Sequence, residues 1–328
     1  MRTVAVFGAG AWGTTFAMVI ARAGGRVVLW SRRESVCDGI NKEHENRDYL
    51  PGLRLHNAIT ATTDPATAAE YADVIVLSVP SQVLRDNLKT WTPLIRPGVP
   101  IVSLMKGIEA GTAMRMSQVI TEVAGVGLDR VLVVTGPNLA QEIAAGQPAV
   151  GVLAGTNDQL TTDLCAEWTS LRYRLTVCQD VIGCEIGGAT KNVIALAVGM
   201  VHGLGLGANT ASVLITRGLY EITRLGRALG ADPETFAGPA GLGDLVATCI
   251  SPEGRNRTFG ELLGRGLADA DLAAASKQLT EGVESCASIL ELARRHRVDL
   301  PVVSGVARVL EGREHPNEVV GRLARSSF

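Results

Sequence analysis

A chain of 328 residues with 46% hydrophobic side chains can bury a sizeable core, and that length is more typical of two domains than of one. Its 31 basic and 33 acidic residues leave a formal charge of −2 and a pI near 6.2, so no single-sign field favours nucleic acid or an anionic membrane. Six cysteines without a CxxC pair and five histidines without an HExxH spacing indicate neither a disulfide framework nor a metal site.

The first residues enter a strand-like run directly, with no charged and then apolar leader, so a cytoplasmic protein with reduced thiols is expected. Up to about residue 178, short valine-rich runs alternate with segments of helical period. The runs are Val4–Phe7, Val27–Trp30, Val74–Leu77, Ile101–Leu104, Val131–Val134 and Val150–Leu153. Continuous apolar strands separated by helices predict a mostly parallel sheet covered on both faces, a doubly wound α/β domain.

The first run leads into Gly8-Ala9-Gly10-Ala11-Trp12-Gly13, a GxGxxG sequence that opens a helical segment from Thr14 to Arg22. Strand, glycines, helix and second strand follow in order within about 30 residues, the context that makes this motif a dinucleotide-binding unit. Its glycines permit a tight turn, approach of the backbone to a pyrophosphate, and close helix–strand packing. At the end of the second strand, where NAD enzymes usually present an acidic side chain, the chain has Ser31-Arg32-Arg33. Two arginines there suit a 2′-phosphate and hence NADP(H), or dual use with NAD(H); a solvated surface pair is the alternative. Lys106, just past the fourth run, and the loop Thr135-Gly136-Pro137-Asn138-Leu139-Ala140 lie where open parallel sheets bind ligands.

After about Asp180 the strand pattern stops. The rest reads as helices near 181–201, 209–229, 257–264, 280–296 and 301–311, giving a Rossmann domain over 1–180 and an all-α domain over 181–328. The apolar stretch Ile186 to Ala208 contains Lys191, His202 and six glycines, a poor bilayer span and a better core helix, so no membrane insertion is expected. Lys191 is the only charged side chain between Ile186 and Val201. A buried ammonium is costly without compensation, so Lys191 either serves proton transfer or snorkels to the surface. Asp244, in the glycine-rich stretch Gly238 to Leu245, either pairs with Lys191 or substrate, or caps the next helix. Arg255 and Asn256 follow it and suit a phosphate.

Taken together, the blocks GAGAWGT (8–14), YLPG (49–52), KGIE (106–109), GPNLAQE (136–142), GGATKNVIA (187–195), LITRGL (214–219), AGLGD (240–244), RNRTFG (255–260) and EG (281–282) resemble the bacterial NAD(P)-dependent sn-glycerol-3-phosphate dehydrogenase family over essentially the full length. The resemblance implies reversible reduction of dihydroxyacetone phosphate to sn-glycerol 3-phosphate, feeding glycerophospholipid synthesis, without a metal. It implies that Lys191 is the catalytic proton donor and that Lys106, Gly136, Asn138, Asp244, Arg255 and Asn256 touch substrate. It further implies that Gly8, Gly10, Ala11, Trp12, Gly13, Arg32, Arg33, Lys106, Ala140, Arg255, Leu279 and Glu281 line the cofactor. Three positions depart from the family: Asn138 where serine or threonine is usual, Gly254 where serine is common, and Leu279 in place of a valine. A β-hydroxyacid or 6-phosphogluconate-type dehydrogenase shares the architecture but not the RNRTFG and AGLGD blocks. A non-catalytic NAD(P)-binding redox sensor would have no use for the lone Lys191. The low charge of the helical half hints at a homodimer.

Overall fold

The computed structural model describes residues 2–252, 254–266 and 281–325. The chain forms two compact units, Met1–Met105 with Met116–Val181, and Lys106–Arg115 with Ile182–Phe328. A single boundary near residue 180 therefore leaves out the excursion Lys106–Arg115, which folds with the second unit.

The first unit is an eight-stranded sheet: β1 (Thr3–Phe7), β2 (Arg26–Trp30), β3 (Ile59–Thr62), β4 (Val74–Leu77), β5 (Ile101–Ser103), β6 (Val131–Thr135), β7 (Ala149–Gly155) and β8 (Tyr173–Cys178). Its spatial order is β3-β2-β1-β4-β5-β6-β7-β8. Neighbours run parallel except β6 and β7, which are antiparallel. This mostly parallel doubly wound sheet has the fold class that the valine runs predict. Strands β4 and β6 are buried at every residue, as sheets covered on both faces require. The two strands that the runs did not announce, β3 and β8, are the edges, and their residues alternate between buried and exposed. With one face wet, an edge strand loses the continuous apolar run.

Helices α1 (Ala11–Arg22), α2 (Glu34–Asp38), α3 (Pro65–Ala69), α4 (Leu84–Trp91), α5 (Met116–Ala124), α6 (Ala140–Ala144) and α7 (Asp158–Trp168) accompany the sheet. Phe16 of α1 meets the Trp168 ring edge-on at 5.4 Å, deep in the core. Helix α1 begins at Ala11, so the glycine motif already contributes its first turn.

The second unit is helical: α8 (Val181–Gly203), α9 (Ala208–Ala228), α10 (Pro233–Ala237), α11 (Asp244–Ile250), α12 (Arg255–Gly264), α13 (Glu281–Arg295), α14 (Pro301–Leu310) and α15 (Pro316–Arg325). By length and composition alone α8 could cross a membrane, yet it is buried along nearly its whole length as the core helix of this unit. Glycines let α12 lie directly against it. A Cβ on Gly199 would sit 2.1 Å from the Arg257 carbonyl oxygen, one on Gly203 2.2 Å from that of Glu261, and one on Gly260 2.1 Å from that of Leu196. The backbones touch where side chains normally intervene, which fixes the start of α12 relative to the middle of α8. Arg255 and Asn256 are thus the first two residues of a helix and not part of a loop before residue 257.

The excursion Lys106–Arg115 closes on itself through a bridge between Ile108 and Arg115 and buries Ile108 and Ala113 in the helical core. An ion pair from Arg115 to Glu185 and a 2.6 Å hydrogen bond from Arg295 to the Thr112 carbonyl hold it there. Glu221 of α9 accepts from the Val302 N–H at 2.6 Å at the start of α14, and burial pushes its carboxyl up to about 7.

Candidate active site

In the first unit the site is made of backbone. Gly8 has φ +122°, and a Cβ there would stand 2.2 Å from the Ser78 carbonyl oxygen at the end of β4. A Cβ on Gly13 would stand 2.0 Å from the carbonyl of Gly8. Only glycine permits these approaches. Gly10 differs: nothing lies within 4 Å of its would-be Cβ, and as N-cap of α1 it supplies no side-chain acceptor to the first-turn N–H groups. The turn therefore presents open space, unsatisfied donors and the positive end of a helix, which together fit a pyrophosphate.

Two supports lock this turn. Asn46, 1% exposed, donates its amide to the Ala9 carbonyl at 2.9 Å and to Thr14 Oγ1 at 2.8 Å. Thr15 Oγ1 donates to the Ala140 carbonyl at 3.1 Å, while Arg22 donates to the carbonyls of Ile143 at 3.1 Å and Ala144 at 2.7 Å, tying α1 to α6. The loop before α6 turns through Gly136 at φ +109°. Asn138 there accepts from the Tyr173 hydroxyl at 2.9 Å and keeps its buried Nδ2 without a protein partner, as does Trp12 with its Nε1. The orphaned donor of Trp12 and the cradle above Gly10 fit a polar dinucleotide, and that of Asn138 fits a polar ligand.

At the end of β2, Ser31 is buried and Arg32 is exposed. Arg33 is engaged: it pairs with Asp48 at 2.8 Å and its guanidinium lies 5.1 Å from the centre of the Tyr49 ring. Arg32 and Arg33 are therefore not equivalent, as the sequence treated them.

In the second unit the site is made of side chains. Lys191, midway along α8 and 7% exposed, does not snorkel. Its ammonium pairs with Asp244 Oδ1 and donates to Thr248 Oγ1 at 2.7 Å. Asp244, 1% exposed, gives its other oxygen to Lys106 Nζ at 2.7 Å. The carboxylate is thus committed to two lysines and caps no helix; Gly243 stands at the N-cap of α11. Two ammoniums share one carboxylate in a buried setting, which leaves one positive charge in excess. Burial, reinforced by Lys191 and opposed by Asp244, lowers Lys106 to about 8. Beside the cluster, burial pushes the Cys249 thiol up to about 12, which removes it as a thiolate nucleophile at neutral pH.

Next to Lys191 on α8, Asn192 Oδ1 accepts from Asn256 Nδ2 at 3.1 Å, and Asn256 Oδ1 accepts from the Gly282 N–H at 3.0 Å. Asn256 thereby joins α8, α12 and α13, so much of its hydrogen bonding is structural. A Cβ on Gly282 would lie 2.7 Å from the Asn192 carbonyl oxygen. Glu281, whose carboxyl is raised by burial against the opposing charges of Arg255, Lys106 and Lys191, sits at the start of α13. Arg255 is exposed on the first turn of α12. Leu279, expected at the cofactor, lies outside the described residues.

Lys106, Lys191 and Asp244 thus meet, and Asn256 of α12 is bound to Asn192, the residue after Lys191. The sequence reading missed Thr248, which its spacing of four from Asp244 on a helix could have revealed. It also missed Asn46 and Asp48, which no local pattern announces, and gave no role to Tyr49 of the YLPG block. Among the described residues no group of three or more His, Cys, Asp or Glu could hold a metal ion.

A Rossmann unit with an open glycine turn, followed by a helical unit with a buried lysine–carboxylate pair, defines the class of nicotinamide-dependent dehydrogenases. The N-terminal family model of NAD-dependent glycerol-3-phosphate dehydrogenase matches residues 3–161, and the C-terminal model matches residues 180–321. A glycerol-3-phosphate dehydrogenase [NAD(P)+] from Streptomyces avermitilis is 54% identical over 98% of this chain and 97% of its own. One from Corynebacterium urealyticum is 50% identical over 98% of each. A crystal structure of glycerol-3-phosphate dehydrogenase from Coxiella burnetii superposes with a TM-score of 0.93 at 35% identity, covering 99% of both chains. The chain belongs to the NAD-dependent glycerol-3-phosphate dehydrogenase family, and it is an NAD(P)-dependent oxidoreductase.

Proposed function

We propose that the protein reversibly reduces dihydroxyacetone phosphate to sn-glycerol 3-phosphate, with Lys191 giving the proton to the carbonyl oxygen. The observation that carries this reading is the buried cluster of Lys191, Asp244, Thr248 and Lys106. When bound, the reduced nicotinamide supplies the hydride for the ketone carbon. Gly8 to Gly13 and Ala140 would hold the dinucleotide, with Arg32 and Arg33 at its ribose end, while Asn138 would touch substrate.

Asp244 and Thr248 hold the Lys191 ammonium in one place, so it need not reorganise as charge develops on the substrate oxygen. The excess positive charge of the two-lysine cluster stabilises that oxyanion and, through Lys106, favours an anionic substrate. Arg255, exposed on a helix N-terminus, suits the phosphate. A cytoplasmic setting, supported by the six free cysteines, and a homodimer belong to the same reading, as does supply of sn-glycerol 3-phosphate to glycerophospholipid synthesis.

The test is oxidation of NADPH and NADH with dihydroxyacetone phosphate, with unphosphorylated dihydroxyacetone, with a 3-oxo acid, or with nothing added. Turnover is expected with the phosphorylated ketone at far lower concentration than with the others. Preference for the 3-oxo acid would replace this reading with a hydroxyacid dehydrogenase.

A further inference from the structure

Where NAD enzymes carry an acidic residue at the end of the second strand, this chain has Ser31, yet a carboxylate still reaches that corner from elsewhere. Asp48 pairs with Arg33 at 2.8 Å, and the neighbouring Tyr49 ring lies beside the same guanidinium at 5.1 Å. The turn that carries both is fixed. The carbonyl of Asn46 accepts from the N–H groups of Tyr49 at 3.2 Å and Leu50 at 2.8 Å. The side chain of Asn46 is the one bound to Ala9 and Thr14 of the glycine turn. Asp48 is therefore registered against the pyrophosphate-binding turn through a buried asparagine, and its charge occupies the guanidinium that would otherwise be available to an anion. A carboxylate and a phosphate on one guanidinium compete for the same donors and repel each other.

We propose that Asp48 is a specificity-determining residue: it holds Arg33 in an ion pair that an adenosine 2′-phosphate must open, which blunts discrimination between NADPH and NADH. The inference rests on Arg33 as the reader of the 2′-phosphate. With NADH the pair stays closed, and with NADPH it opens. Both side chains are roughly half exposed, 43% and 48%, so the pair is screened and its effect is a matter of several-fold.

The test is calorimetric titration of the full chain at low salt with adenosine 2′,5′-bisphosphate and with adenosine 5′-monophosphate, alongside kcat/KM for both reduced cofactors. Asp48→Asn is expected to tighten the bisphosphate about three- to fivefold, the scale of an exposed ion pair, and to change the monophosphate less than about twofold. Arg33→Ala should weaken the bisphosphate, and in that background Asp48→Asn should change nothing. Equal tightening of both nucleotides, no tightening of either, or a gain that persists without Arg33 would overturn the role of Asp48. If Arg33→Ala alone leaves bisphosphate affinity unchanged, the 2′-phosphate reading itself has failed, which is a separable result.

Discussion

In the first unit the groups that would meet the dinucleotide pyrophosphate lie within six consecutive residues, Gly8 to Gly13, whereas the cluster of the second draws Lys106, Lys191, Asp244 and Thr248 from three stretches of chain. The first works by having no side chains where a ligand must approach. The second works by burying charge and compensating it. A backbone site is broken by adding an atom, and a side-chain site by taking one away. Each variant below tests that difference.

The largest effect is expected at Lys191. If Lys191 is the proton donor proposed above, its replacement by alanine removes both that donor and a charge that stabilises the substrate oxygen, so kcat should fall by about 10²–10⁴-fold or more. Cofactor affinity should stay nearly intact, since Lys191 is not among the residues expected to line the cofactor. A near-normal kcat would remove Lys191 from the chemistry, and a matching loss of cofactor binding would mean that the two sites are not built independently.

The glycine turn separates two kinds of damage. Gly10→Ala meets no protein atom, so folding should be unaffected while NAD(P)H affinity drops on the order of ten- to hundredfold, about 1.4–2.8 kcal/mol. Gly13→Ala would drive a Cβ to 2.0 Å from a backbone carbonyl, so it should cost about 1–3 kcal/mol of stability as well. Thermal melts beside cofactor titrations distinguish them. Equal melting losses for the two variants would show that the space over Gly10 is not a ligand cradle.

Arg255 probes the second unit where it meets solvent. Arg255→Ala should raise KM for dihydroxyacetone phosphate about ten- to hundredfold, the 1.5–3 kcal/mol of a charge-assisted contact, and leave unphosphorylated dihydroxyacetone almost unaffected. Equal losses on both ketones would show that Arg255 does not read phosphate.

The same contrast explains what could be read in advance. Strands β1, β4 and β6 announce themselves because both faces are covered, while the edges β3 and β8 alternate and were missed. The glycine turn is legible because its whole mechanism is local in sequence. Lys191 and Asp244 were legible as isolated charges in apolar surroundings, and their meeting was not, because 53 residues separate them. The move of Lys106 into the helical unit was hidden for a related reason. It depends on Ile108 and Ala113 finding a core built mostly after residue 181. Asn46 and Asp48 act through a turn with no periodicity, just before the YLPG block, so only geometry shows that they brace the glycine turn and Arg33.

The smallest effect on activity expected is a pH dependence centred on Lys106. Its ammonium, lowered from 10.5 to about 8 chiefly by burial, loses its proton in the folded protein well before it would in the unfolded chain. If the charged form is the one that favours the anionic substrate, kcat/KM should fall as pH rises through about 8, because this parameter reports the free enzyme. Lys106→Arg should move that limb out of the accessible range, since a guanidinium stays protonated. Stability runs the other way. Between about 8 and 10.5 the unfolded chain binds the proton that the folded one has released, so this group's contribution to stability rises with pH across that window. Chemical denaturation of wild type and Lys106→Met across the window isolates the contribution, since other titrating groups are common to both. The wild type should gain on the variant as pH increases. A constant difference, together with a kcat/KM limb that ignores Lys106→Arg, would show that the ammonium is not held under strain by its burial beside Lys191.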